Sequence, residues 1–206
     1  MSLVTADISM SLDGFIAGPE DRPGLGLGQG GERLHEWIVG LESWRQRHGL
    51  SGGQTNPDTE ILDEAFANVG AIVVGRRMYE NAEGWGENPP FHMPVFVLTH
   101  HAQDLLVKDG GTTFTFVTDG FERALDLAKA AAGDKNVAVG GGANTIQQYL
   151  GSGLLDELQV HLVPIFLGGG VRLFEHLSPG QVELERTRVI DSPDVTHLKY
   201  RVVKSR

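Results

Sequence analysis

The sequence predicts an α/β protein with a mixed, mostly parallel central sheet, helices on both faces and antiparallel strands at its C-terminal end. Three observations predict it. Short, wholly apolar runs such as Ala71-Ile72-Val73-Val74 and Val95-Phe96-Val97-Leu98 are typical of strands covered on both faces. Through the middle of the chain such runs alternate with amphipathic stretches, as in strand–helix–strand units. After Leu150 this alternation stops, and Asp191-Ser192-Pro193-Asp194 joins two strands by a reversal that pairs them antiparallel.

Residues 3–12 read as the first strand, turned by Asp13-Gly14 and continued by Phe15-Ile16-Ala17-Gly18. Residues 18–31 are glycine-rich and read as a mobile loop, long enough to suggest a function. Residues 32–47 read as one helix, because Leu34, Trp37, Ile38, Leu41 and Trp44 share a face. Asn56-Pro57 supplies an N-cap and a first-turn proline to a helix that buries Ile61, Leu62, Ala65 and Phe66. A strand at 71–75 leads into a helix opened by Arg76-Arg77, and a strand at 94–99 ends at His100-His101. Then follow a strand at 113–117, a helix at 121–132 ended by Gly133, and a strand running into Gly140-Gly141-Gly142 and the helix 144–150. Strands at 157–166, 181–190 and 196–203 complete the chain. In the last, Leu198, Tyr200 and Val202 alternate with Lys199 and Arg201, which gives it one wet face.

With 206 residues, 40% hydrophobic and 21% charged, the chain suits a single domain, 1–206, with an insertion at about 19–57. A net charge of −10 repels phosphodiester backbones, which argues against nucleic acid as a partner. The absence of cysteine excludes disulfides, thiol nucleophiles and cysteine-ligated zinc. No signal-peptide pattern opens the sequence and no apolar run is long enough to span a bilayer, so the expectation is a cytoplasmic protein without a membrane partner.

The chemistry concentrates at three predicted strand ends, where open α/β sheets bind ligands. Glycines at 140–142 leave backbone N–H groups open before a helix N-terminus, a setting for phosphate or for plain strand-to-helix punctuation. The stretch is neither Gly-x-Gly-x-x-Gly nor a P-loop. Arg76 and Arg77 oppose the dipole of the helix they open, so they are either a solvated pair or neighbours of an anion. Thr99 and His100 offer a hydroxyl and an imidazole at a third end, and His100-His101 lacks the companions of a metal site. Together the three ends match the charge layout of NADPH, with a pyrophosphate over the glycines and a monophosphate near arginine, threonine and histidine.

Four segments carry a family resemblance: Ser11-Leu12-Asp13-Gly14-Phe15-Ile16-Ala17; Val74-Gly75-Arg76-Arg77-Met78-Tyr79-Glu80; Val139-Gly140-Gly141-Gly142; and Leu155-Asp156-Glu157-Leu158, followed by Pro164 to Gly170 and Leu173-Phe174. In this order they resemble the dihydrofolate reductase-like superfamily across nearly the whole chain, above all the reductase domain of bacterial riboflavin biosynthesis. The resemblance implies a three-layer fold and an NADPH-dependent reductase that passes hydride to a small heterocycle or imine-like sugar derivative. An aminouracil ribosyl phosphate is the first substrate expectation. A pterin or folate reductase and a non-catalytic nucleotide-binding module are the alternatives.

By the same resemblance Ala17 lies near the nicotinamide, Gly75, Arg76 and Arg77 contact the adenosine 2′-phosphate and pyrophosphate, and Leu98, Thr99 and His100 flank the adenosine. Gly140, Gly141, Gly142, Ala143, Asn144 and Thr145 hold the pyrophosphate, with a cis Gly140–Gly141 peptide bond. Asp13 is the candidate acid or substrate ligand, with a plain Asp-Gly turn as the other reading. Phe15 and Trp37 are candidate walls for the substrate ring. A homodimer through the C-terminal strands is a further implication. The chain departs from the pattern in Met78, where the reductases often carry threonine, and in Ala143, where folate reductases often place arginine. No acidic residue of the first helix aligns with the folate enzymes' carboxylate.

Overall fold

The structure, a computed structural model, describes residues 2–177 and 182–204. In chain order the elements are β1 (Val4–Ser11), β2 (Phe15–Ala17), α1 (Glu36–Val39), α2 (Glu42–Arg47), α3 (Pro57–Asn68), β3 (Val69–Gly75), α4 (Arg76–Asn81) and β4 (Pro94–Leu98). They continue with β5 (Leu106–Val107), β6 (Thr113–Val117), α5 (Phe121–Ala132), β7 (Asn136–Gly141), α6 (Ala143–Gly151), β8 (Glu157–Val163), β9 (Val171–Arg172), β10 (Glu183–Asp191) and β11 (Thr196–Val203).

Nine strands form one sheet in the order β10-β11-β8-β1-β7-β3-β4-β6-β5, and β2 pairs with β9 in a separate ribbon. The six strands from β8 to β6 run parallel. β11 and β10 extend one edge antiparallel, and β5 closes the other in the same sense. This is the dihydrofolate reductase-like three-layer arrangement.

Side-chain alternation along β3 builds the layers. Ala71 and Val73 face a core made with α5 and α6, which bury Ala124, Leu125, Ala128, Ile146 and Tyr149. Ile72 and Val74 face the opposite core with Val95, Val97 and Phe114, capped by Tyr79, Trp85 and Phe91. A third cluster joins Leu34, Trp37, Leu41 and Leu62 to Val163 and Val195, so the insertion packs on the sheet rather than standing away from it.

Two expectations are corrected. The single helix at 32–47 is instead a 3-10 turn (Gly31–His35), α1 and α2. It breaks at Leu41, which is extended and fully buried: Leu41 bridges Gln54, and Glu42 N–H donates to the Gln54 carbonyl at 3.0 Å. That tertiary pairing outweighs the helical periodicity. The glycine-rich segment is a loop of turns closed across its base by backbone hydrogen bonds. Gly18 N–H donates to Leu27 O and Gln29 N–H to Pro19 O, both at 2.8 Å. Strand β8 stops at Val163, before Pro164, instead of running on to 166. Gln181, where the sequence starts its penultimate strand, lies outside the described residues.

The predicted N-cap is present in full. The Asn56 side chain accepts from Asp58 N–H at 3.0 Å, and Thr59 Oγ1 accepts from Asn56 N–H at 3.1 Å. Asn56→Ala is expected to cost about 1 kcal/mol of stability, measured by denaturant unfolding; an unchanged midpoint would show that tertiary packing alone holds this end of α3.

Candidate active site

One cleft of about 910 Å³ runs along the carboxyl ends of β3, β4 and β7 and continues over the face of β1 and β8 beneath the insertion. Its size matches a dinucleotide with a small second ligand.

Gly75 ends β3 against the first turn of α6, where a Cβ would stand 2.6 Å from Thr145 Oγ1, so only glycine allows this approach. α6 starts at Ala143 behind Gly142, with no side-chain cap. Its first N–H groups therefore remain available to a ligand. A Cβ at Gly142 would meet nothing within 4 Å, so the backbone there faces open space. The cis peptide bond is Gly141–Gly142, one residue beyond the expected position. A non-capped helix start behind an open glycine backbone fits a diphosphate.

Ala17, Gly75, Arg76, Arg77, Leu98, Thr99, His100 and residues 140–145 all line the cleft. The structure thus brings together every residue expected around the dinucleotide. The two arginines already have partners: Arg76 pairs with Glu80 at 3.0 Å, and Arg77 pairs with Asp21 of the glycine-rich segment. Asp21 also accepts from the Asn81 side chain at 3.1 Å, which ties that segment to α4 over the cleft. Thr99 is buried, and its Oγ1 accepts from His101 N–H at 3.0 Å. His100 is exposed at the rim. The lining from Val117, Thr118, Gly120 and Phe121 carried no sequence signal, because these residues are ordinary strand-end and helix-start types.

Two expected site residues lie elsewhere. Asp13 does not line the cleft. Its carboxylate accepts from Ser11 Oγ at 2.6 Å, Leu167 N–H at 3.1 Å and Gly168 N–H at 2.7 Å. The Ser11 hydroxyl foremost, then these backbone groups, hold it below the usual carboxylate value. A carboxylate kept ionised this way clips the 164–170 segment to the β1–β2 turn and is a poor proton donor. Phe15 is buried outside the cleft, under the Arg172 guanidinium at 4.3 Å.

Trp37 does reach the cleft. Its indole N–H donates to Ser9 Oγ at 3.1 Å. Around it lies an apolar half walled by Ile38, Trp44, Ile61, Leu62, Phe66 and Phe91. Arg76 and Arg77 are the only lysine or arginine side chains among the described lining residues, and both belong to the glycine end.

Sequence reasoning missed the polar groups of this half: Asp7, Ser9, His35 and His161. Strand register assembles them. Asp7 sits opposite Gln159 and Ser9 opposite His161 in the β1–β8 pair, and His161 sits opposite His197 in the β8–β11 pair. His161 Nε2 contacts the Asp7 carboxylate, which also accepts from Gln159 Nε2 at 3.0 Å. Behind them His161 Nδ1 lies 2.6 Å from His197 Nδ1, and His197 Nε2 lies 3.0 Å from Asp58 Oδ1. His161, His197 and Asp58 are each 3% exposed. Trp37 covers both rings, with centroids at 4.7 and 5.1 Å. Burial pushes His197 below the ordinary histidine value, against the hydrogen bond to Asp58. His35 is pushed down to about 4, by burial first and then by the charge of His161, and its Nδ1 is buried without a protein partner. The available signal was polar residues at period two in otherwise apolar strands: Asp7, Ser9 and Ser11 in β1, Gln159 and His161 in β8.

The sheet order and the cleft at its carboxyl edge define the dihydrofolate reductase-like class. Among solved structures, a protein named for riboflavin biosynthesis from Shewanella sp. PV-4 superposes with a TM-score of 0.70 at 22% identity, covering 99% of this chain and 100% of that one. Dihydrofolate reductase from Enterococcus faecalis, complexed with NADP(H) and RAB-propyl, gives 0.53 at 15% identity over 97% and 94% of the two chains. The deaminase/5-amino-6-(5-phosphoribosylamino)uracil reductase of Thermotoga maritima gives 0.58 at 16% identity, covering 97% of this chain and 56% of that one. No curated protein sequence matches. The RibD C-terminal domain family matches residues 2–198, and the chain belongs to that family. Its function is of the RibD reductase type, within the oxidoreductases of the dihydrofolate reductase-like superfamily.

Proposed function

We propose that the protein is an NADPH-dependent reductase that transfers hydride to the C=N bond of a small heterocyclic substrate, most like 5-amino-6-(5-phosphoribosylamino)uracil. The carrying observation is the single cleft in which the glycine turn, the uncapped start of α6 and two arginines lie continuous with an aromatic half bearing Asp7 and His161. Residues 140–145 would hold the pyrophosphate, Arg76 and Arg77 the 2′-phosphate, Thr99 and His100 the adenosine side, and Ala17 the nicotinamide side. When bound, the dinucleotide supplies the hydride. The aromatic walls orient the second ligand and exclude water. Asp13 serves as a clip for the 164–170 segment.

A pterin or folate substrate is the second reading. It is favoured by the absence of lysine and arginine from the described lining of the aromatic half, where a ribose phosphate would need one. Turnover screening of aminouracil ribosyl phosphates against dihydropterins and dihydrofolate, with NADPH, decides between them.

Calorimetric titration is expected to show NADPH binding in preference to NADH. The double variant Arg76→Ala/Arg77→Ala should erase that preference, a loss of about tenfold or more for one charge-assisted phosphate contact. Binding of neither dinucleotide would overturn the reductase reading and leave the fold with another role. The proposed homodimer through the C-terminal strands is tested by light scattering in solution. The edge strand β10 offers it exposed Leu184 and Val189.

A further inference from the structure

We infer that Asp58, His197, His161 and Asp7 form a buried proton reservoir that charges Asp7 to act as the proton donor in the aromatic half of the cleft. The inference deepens the reductase reading and rests on it for the substrate.

Hydrogen-bond arithmetic supports it. Four ring nitrogens lie in a line between two carboxylates. Each Nε2 faces a carboxylate, so both carry hydrogen. The two Nδ1 atoms face each other at 2.6 Å. Two lone pairs at that distance repel, and two hydrogens collide. One hydrogen must therefore lie between the rings. The chain then holds three protons: one imidazolium, one neutral ring and two carboxylates, with a net charge of −1. A shift of two protons along the same bonds, from His197 to His161 and from His161 to Asp7, neutralises the histidine pair and protonates Asp7. The net charge is unchanged, so burial does not oppose the shift as it would oppose a new charge.

Asp7 is the member that opens to the cleft, with 36% of its side chain exposed. The opposite end reaches the surface at the β10–β11 turn, where half-buried Ser192 donates to Asp58. In the reaction, the substrate carbon of C=N gains the hydride pair from the dinucleotide. The Asp7 O–H bond breaks as an N–H bond forms on the substrate. The lost proton is restored from solvent. The other groups facing this chain are His35, coupled to His161, and Arg188 with Glu64, which reach it through Gln159.

Asp7 would touch the substrate. Asp58 and His197 are positioning residues, tested by two readouts. The first needs no ligand. Nitrogen-15 NMR of histidine-labelled protein near neutral pH should show both Nε2 atoms protonated and the two Nδ1 signals moving together as the pair titrates. The second is the pH profile of kcat. Asp58→Asn removes a negative charge from the imidazolium, so the fall of activity at high pH should move to lower pH with KM unchanged. Asp58→Glu should restore the profile in part. Where Asp58→Asn does not fold, His197→Gln serves the same measurement. Rings that titrate independently, or a pH profile unmoved in both variants, would overturn the reservoir. Absence of NADPH binding would remove the reductase reading instead and leave the NMR result standing.

Discussion

Replacing Asp7 with asparagine is expected to lower kcat by about 10²- to 10⁴-fold, the usual contribution of a general acid, while NADPH affinity stays unchanged. The split follows from geometry. Asp7 belongs to the half of the cleft under Trp37, whereas the glycine turn and the start of α6 lie beyond the ends of β3 and β7. Asparagine keeps the size, and its one oxygen can still accept from His161 while its NH2 faces the Gln159 amide, so the strand register should persist. It cannot accept a proton from His161 and pass it on. Steady-state kinetics and calorimetry on the same preparation check both parts. A raised KM with an unchanged kcat would show that Asp7 only binds substrate, since uniform binding is lost without any effect on the chemical step.

The second expectation concerns stability against pH. In the folded chain His35 is held down to about 4, against 6.5 in the unfolded state. Between these values the unfolded chain binds the proton and the folded chain does not. Stability is therefore fully present above about 6.5 and is lost progressively as pH falls to about 4. The displacement corresponds to at most about 3 kcal/mol, reduced by whatever solvent the ring meets at the cleft wall. His35→Gln stays neutral in both states and should flatten the loss between pH 6.5 and 4.5, a window above most carboxylate titrations. Denaturant unfolding at several pH values measures it. Equal slopes in the two proteins would mean that the ring is hydrated and titrates freely.

The glycine end shows what short-range sequence can convey. Gly140-Gly141-Gly142 before an amphipathic stretch, and Gly75-Arg76 after an apolar run, are local signals of backbone shape. The structure places all of these residues in one cleft. The position of the cis bond was off by one residue, because neighbouring glycines give no local preference between two adjacent peptides. Asp13 is ambiguous for a related reason. A carboxylate after a first strand looks the same whether it meets a substrate or two backbone N–H groups 154 and 155 residues away.

The sequence by itself determined the class of fold, the order of nearly all its elements and the glycine end of the cleft, because periodicity, caps and glycine turns act over a few residues. Tertiary structure alone decided where the helix at 32–47 breaks, since Leu41 leaves helical geometry to pair with Gln54. It alone decided the polar line from Asp58 to Asp7, whose members come from α3, β11, β8 and β1. Those contacts depend on strand register. A slip of one residue would turn His161 and His197 to the opposite face of the sheet, and register is set by long-range packing that no local pattern encodes.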